Sequence, residues 1–167
     1  MGRDFTAGDP GVVELDGSGM TLAVACARWN RVITDRLLEG FVQRATTLGV
    51  DADAIDVAWV PGAYELPLTA SALARTGRYD AVVAIGAVIR GDTPHFDFVA
   101  GGVADGLMRV QLDTGVPVVF GVLTTENRRQ ALVRSAVRGD VVGDDKGAES
   151  ADVAIEMVTV LRSINRG

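Results

Sequence analysis

The stretch Gly86-Ala87-Val88-Ile89-Arg90-Gly91-Asp92-Thr93-Pro94-His95-Phe96-Asp97-Phe98-Val99-Ala100 reads as the end of a buried strand, a glycine turn and the start of a helix. The strand begins upstream, where residues 81–89 (AVVAIGAVI) form an apolar aliphatic run. That run is far shorter than the roughly 18 residues of a membrane span and suits a parallel strand covered on both faces. On the helix side, Thr93 is a favoured N-cap residue, and Pro94 suits the first helical position, where its missing N–H costs nothing. The spacing places His95, the chain's one histidine, in the first helical turn, beside free amides and the positive end of the helix dipole. Such a place can hold an anion and supply an imidazole with an ordinary pKa of about 6.5.

The same alternation extends in both directions. Residues 21–27 (TLAVACA) predict a first strand, and 34–48 a helix with Ile33, Leu37, Phe41, Ala45 and Leu48 on one face and Gly49 as its stop. Residues 56–60 (DVAWV) predict a second strand turned by Pro61-Gly62, then a helix over 65–76 with Leu66, Ala70 and Leu73 in register, ended by Gly77. The helix opening at Pro94 carries Phe96, Val99, Val103, Leu107 and Val110 on one stripe and stops near Gly115. Residues 117–123 (PVVFGVL) predict a fourth strand and 127–137 a short helix. A Gly/Asp-rich connection (RGDVVGDD) leads to a last helix over 147–163, with Ala148, Ala151, Ile155, Val158 and Leu161 facing inward. This order predicts a three-layer α/β/α sandwich: a four-stranded parallel sheet, helices on both faces and right-handed crossovers.

At 167 residues, 48% of them hydrophobic but 5% aromatic, the chain reads as one domain with a Val, Ala, Leu and Ile core. Residues 19–167 form that domain, and 1–18 read as a flexible N-terminal arm. The arm mixes glycines with acids and has no apolar signal core, so a cytoplasmic protein is expected. A net charge of −6 argues against nucleic acid or an anionic membrane as partner. It still allows a phosphorylated small substrate, because a few local cations outweigh distant charges. No zinc-ligand cluster, phosphate loop or nucleophile elbow is present, so no metal and no bound cofactor are expected. The single cysteine, Cys26, excludes an internal disulfide and reads as a buried strand residue rather than a nucleophile.

Open parallel sheets bind ligands beyond the carboxyl ends of their strands. Four motifs fall at such ends: Arg28-Trp29-Asn30, Pro61-Gly62-Ala63-Tyr64-Glu65, the Ile89 to His95 loop and Thr124-Thr125-Glu126-Asn127. There an exposed Trp29 indole could stack on a flat heterocycle, worth roughly 0.5–1.5 kcal/mol beyond its buried area, although a core Trp at the sheet edge fits the residue type as well. Glu65 suits a helix N-terminus by capping alone, and Arg90 suits tying down its turn through a carboxylate. Judged singly, Phe120 reads as a core residue and Arg134 as a solvated helix arginine. His95 reads equally as structural or catalytic.

Taken together, several motifs resemble the 6,7-dimethyl-8-ribityllumazine synthase family of riboflavin biosynthesis. They are Ala27-Arg28-Trp29-Asn30, Val60-Pro61-Gly62-Ala63-Tyr64-Glu65-Leu66-Pro67, Gly91-Asp92-Thr93-Pro94-His95-Phe96, the run from Pro117 to Asn127 continuing to Gln130-Ala131-Leu132-Val133-Arg134, and Asp145-Lys146-Gly147-Ala148-Glu149. The resemblance spans about 28–149, in the family's order, and implies the flavodoxin-like version of the sandwich above. It implies two small-molecule substrates, 5-amino-6-(D-ribitylamino)uracil and 3,4-dihydroxy-2-butanone 4-phosphate, and no cofactor. By resemblance Trp29, Ala63, Tyr64, Glu65, Ala87, Val88, Ile89 and Phe120 hold the pyrimidine and ribityl chain. Asp92 and Thr93 bind the phosphate through main-chain N–H groups and the Thr93 hydroxyl, with Arg134 as main ligand and Lys146 as second cation. The resemblance also implies that His95 is the proton-transfer residue. At position 29 the family usually carries Phe, so Trp29 is a departure that keeps the π-surface and enlarges it.

The resemblance also implies sites between adjacent subunits of a homopentamer, with Phe120 contributed by the neighbour, and a riboflavin synthase as a further partner. Some members build a shell of twelve pentamers and have a short connection before the last helix. Here the connection, 135–145 with Arg138, Gly139 and several acids, is longer, so a free pentamer or a pair of pentamers is expected rather than a 60-mer. The rival reading is a catalytically weak paralogue, or a flavodoxin-like carrier, that binds lumazine or riboflavin. The larger Trp29 favours it, and retention of His95, Arg134 and Lys146 opposes it.

Overall fold

A computed structural model describes residues 14–136 and 143–166. Strands β1 (Leu22–Ala27), β2 (Ile55–Val60), β3 (Ala81–Ile89) and β4 (Val118–Thr125) form one sheet in the order β2-β1-β3-β4. All three pairings are parallel. Helices α1 (Arg31–Thr47), α2 (Leu66–Arg75), α3 (His95–Thr114), α4 (Arg128–Arg134) and α5 (Lys146–Arg166) complete the three-layer α/β/α sandwich that the alternation predicts.

The strand period of two sorts the core into two slabs. Leu22, Val24 and Cys26 of β1 pack with Ile33, Leu37 and Phe41 of α1 and with Ala151, Ile155 and Val158 of α5. Their neighbours Ala23, Ala25 and Ala27 face the other way, against Leu66 and Ala70 of α2 and Val103 and Leu107 of α3. Among the described residues no helix is long and apolar enough to cross a membrane.

One feature of the register creates the place for a site. The β1–β3 ladder ends at Cys26 opposite Ile85, whereas the β3–β4 ladder runs on to Ile89 opposite Thr125. Residues 86–89 of β3 therefore have a strand on one side only, and a crevice opens beside the end of β1, where such sheets bind ligands.

Several boundaries differ from expectation for local reasons. Helix α3 starts at His95, with Pro94 as its cap, and the Thr93 side chain makes no capping bond. The main chain closes that first turn instead, Asp97 N–H donating to the Pro94 carbonyl at 3.0 Å. Helix α1 begins at Arg31 rather than 34, because Asn30 takes a left-handed conformation (φ 61°) and turns the chain straight out of β1. Its carbonyl accepts from the Ile33 and Thr34 N–H groups at 2.8 and 3.1 Å. Short 3₁₀ turns over Ala52–Ala54 and Ala63–Glu65 were not expected. Helix α5 starts one residue early, with the Asp145 carboxylate accepting from Ala148 N–H at 2.9 Å.

Residues 1–13 of the expected arm lie outside the described residues. Over 14–18 the chain is tied to the domain by Gly17 N–H donating to the Leu48 carbonyl at 2.7 Å. Of the long connection, 137–142, with Arg138 and Gly139, also lies outside. Its described ends meet in an antiparallel bridge between Ser135 and Asp145.

Candidate active site

The crevice at the strand ends is a cavity of about 550 Å³. It brings together eight of the residues singled out from sequence: Trp29, Ala63, Tyr64, Glu65, Ala87, Val88, Ile89 and His95. Trp29 follows β1 by two residues and is kept out of the core because β1–β2 pairing continues past the strands. Arg28 N–H donates to the Val60 carbonyl at 2.8 Å and Trp29 N–H to the Pro61 carbonyl at 3.0 Å. The indole is 65% exposed. Glu65 does cap its own turn, Oε2 accepting from Gly62 N–H at 2.9 Å, and still lines the cavity.

Three further lining residues were given no site role from sequence: Asn30, named only as part of a strand-end motif, Phe98, and Val99, read as part of the apolar stripe of α3. Asn30 Nδ2 donates to the Ala87 carbonyl at 3.0 Å, bracing the β3 edge that β1 leaves uncovered. Phe98 lies one helical turn after His95 and is 75% exposed, so the i, i+3 relation to His95 was the signal available.

Arg90 makes the carboxylate contact expected of it, and makes it twice. Its guanidinium meets Asp97 through Nη1 at 3.3 Å and Nη2 at 3.2 Å, while Nε donates to Glu126 at 2.9 Å. The same group lies 4.1 Å from the centre of the Phe96 ring. Both carboxylates push the Arg90 pKa upward, Asp97 most. The clamp holds the residues immediately after His95. Asp92 and Thr93 are exposed on the loop between Arg90 and His95 and are not among the lining residues.

A second cavity, also about 550 Å³, runs along the open edge of β4. Here Phe120, Arg134 and Lys146 meet, with Glu149 and Met157 of α5. Phe120 is 43% exposed, because among the described residues β4 has no strand on its outer side. Arg134 Nη1 donates to the Gln130 carbonyl at 3.3 Å. Among the described residues no carboxylate pairs with Arg134, so most of its donor fork is available to a ligand. Lys146 occupies the first turn of α5, the positive end of the dipole, where a cation is unfavourable. Glu149 offsets this, accepting from Lys146 Nζ at 2.7 and 2.9 Å.

Among the described residues the two cavities share no lining residue. One chain thus unites indole and imidazole in one place and Phe120 with two cations in another. The first can hold a flat heterocycle against a titratable group, and the second can hold an anion. Cys26 takes part in neither: it is fully buried, and burial pushes its thiol up to about 12, so it packs as a small apolar group. Among the described residues no group of three or more His, Cys, Asp or Glu side chains could hold a metal ion. A family model described as 6,7-dimethyl-8-ribityllumazine synthase matches residues 19–162, a span that contains every residue of both cavities.

Proposed function

The chain belongs to the 6,7-dimethyl-8-ribityllumazine synthase family, and from that premise we propose that it condenses 5-amino-6-(D-ribitylamino)uracil with 3,4-dihydroxy-2-butanone 4-phosphate. The observation that carries this reading is the division of the site residues. Aromatic and acid–base groups line the strand-end cavity, and an arginine that no carboxylate among the described residues pairs with lines the cavity on the open β4 edge. In this scheme the pyrimidine stacks on Trp29 with its polar edge on the uncovered main chain at Ala87 to Ile89. The ribityl chain extends over Ala63, Tyr64 and Glu65. The amine and the ketone form an imine with loss of a first water, phosphate leaves, and the ring closes with loss of a second. His95 moves the protons. Arg134, Lys146 and the amides at the start of α3, beside Asp92 and Thr93, take up the departing phosphate charge. Holding both substrates in one place contributes up to roughly 7–11 kcal/mol to the acceleration.

Because the two cavities are separate in one chain, the working site combines the strand-end cavity of one copy with the β4-edge cavity of the next. Phe120 then lies on the opposite face of the pyrimidine from Trp29. Large exposed apolar side chains support burial by other copies: Phe98, Met108 and Leu112 on α3, Leu68 on α2, and Val153, Met157 and Ile164 on α5. The assembly is a pentamer or a pair of pentamers in the cytoplasm. Sedimentation that found a particle of about sixty chains would refute that size.

Mixing both substrates with the purified protein and following lumazine absorbance tests the activity. The alternative, a lumazine- or riboflavin-binding paralogue, draws its support from the wide Trp29 surface. Absence of turnover together with tight flavin binding would favour it.

A further inference from the structure

We propose that Gly62 is a positioning residue: by having no side chain it seats the Trp29 indole and so sets the width of the heterocycle cavity. The backbone does not require glycine there. Gly62 has φ −143° and ψ −174°, an extended conformation open to any residue. Its N–H serves Glu65, and any residue except proline supplies an N–H. Space is what excludes a side chain. A Cβ on Gly62 would overlap Trp29 Cε3 and lie 2.7 Å from Cζ3 and 3.1 Å from Cδ2. All three atoms belong to the six-membered ring of the indole, which therefore rests against the Gly62 Cα.

The ring cannot make room by moving its own main chain, because Trp29 N–H is held by the Pro61 carbonyl one residue before Gly62. Trp29 also lines the cavity, so an indole lifted off its seat swings toward the space a ligand needs. A phenyl ring at position 29 lacks the two closest atoms, Cε3 and Cζ3. The pair is therefore matched: an indole at 29 requires glycine at 62 more strictly than a smaller ring does.

The seating can be read without any ligand. With Trp59→Phe, Trp29 is the remaining one of the two tryptophans. Adding Gly62→Ala then raises acrylamide quenching of Trp29 and shifts its emission to the red. The effect on binding rests on the function proposed above and is read by calorimetry with 6,7-dimethyl-8-ribityllumazine. Gly62→Ala weakens binding about tenfold, the scale of one lost aromatic stack. In the Trp29→Phe background the same alanine changes Kd by less than about threefold. Unchanged quenching, or an equal alanine penalty in both backgrounds, would overturn the proposal. A wild-type protein that binds no lumazine would count against the proposed function, while quenching still decides the seating. If Gly62→Ala does not fold, W29A/G62A takes its place. Cooperative folding of that pair supports the steric match, and its failure to fold overturns it.

Discussion

The two cavities have the same volume, about 550 Å³ each, and are built by opposite means. The strand-end cavity is framed by hydrogen bonds onto the main chain: Trp29 N–H is held by the Pro61 carbonyl, the Ala87 carbonyl by the Asn30 side chain, and the Gly62 N–H by the Glu65 carboxylate. It carries aromatic surface and the imidazole but, among the described residues, no lysine or arginine. The cavity on β4 is framed by side chains from three helices laid over an open sheet edge, and it holds two cations. On the function proposed above, the groups that match a rigid heterocycle sit where the parallel sheet fixes geometry. The groups that answer charge would then sit on the edge, where a neighbouring copy can bring its own half. An open edge with an exposed Phe is a face that invites cover, and that suits a site completed by association.

The largest expected effects test whether each half is needed. His95→Gln should lower kcat by about 10²–10⁴-fold, the usual worth of a positioned acid–base group, with little change in KM for either substrate. Arg134→Ala should lower kcat/KM for the butanone phosphate about 10²-fold, mainly through KM, since it removes one partner of a charge-assisted contact. Steady-state kinetics with each substrate varied would show both, and unchanged kinetics at Arg134 would contradict its role. The sharper experiment combines them. If the two halves come from different copies, assemblies with the two variants randomly mixed at equal amounts restore about a quarter of the sites. Activity no higher than that of either parent would place a complete site in one chain and end the contrast drawn above.

How much of this was legible beforehand differs between the halves. The sheet, its four strands and the helix stripes followed from apolar periodicity, because burial on two faces leaves a continuous run such as Ala81–Ile89. The strand-end residues could be read as one site since each follows a strand end or, at Ala87 to Ile89, forms one, and parallel strands bring those ends together. Phe120, in mid-strand, has no such signal. Its exposure depends on β4 being an edge, and strand order is not written in local pattern. The partition of the site residues into two cavities is not written in local pattern for the same reason; only the family resemblance implied that Phe120 comes from a neighbouring subunit. Thr93 failed as a cap because the Pro94 carbonyl closes the turn. Asn30 hid its role because a left-handed residue is set by the turn that contains it. Gly62 looked like turn chemistry after Pro61, whereas its neighbour in space, Trp29, is what excludes a side chain.

A smaller effect is expected at Lys146. Its ammonium is already shared with Glu149, so Lys146→Ala should cost about tenfold in kcat/KM for the phosphate substrate, less than Arg134→Ala. Glu149→Gln frees the ammonium and should move KM for that substrate the opposite way, downward. A rise in KM with Glu149→Gln would show that the ion pair, rather than the free cation, is what the anion meets.

The smallest effect expected, and the one that probes how the two regions communicate within a chain, is at Arg90. Its fork holds Asp97 in α3, beside the strand-end cavity, and its Nε holds Glu126, at the head of the segment leading to α4 and Arg134. Arg90→Lys keeps the charge but cannot span both carboxylates. Because these pairs are exposed, the loss in kcat/KM should stay below about tenfold. It should also shrink as salt rises, since added ions screen the wild-type link more than they affect the lysine variant. Equal rates for the two proteins at every salt concentration would mean that the clamp orders nothing the reaction uses. A loss as large as that of Arg134→Ala would mean more: Arg90 would then be meeting the phosphate itself, the strand-end half would own a cation, and the division into an aromatic half and a cationic half would fail.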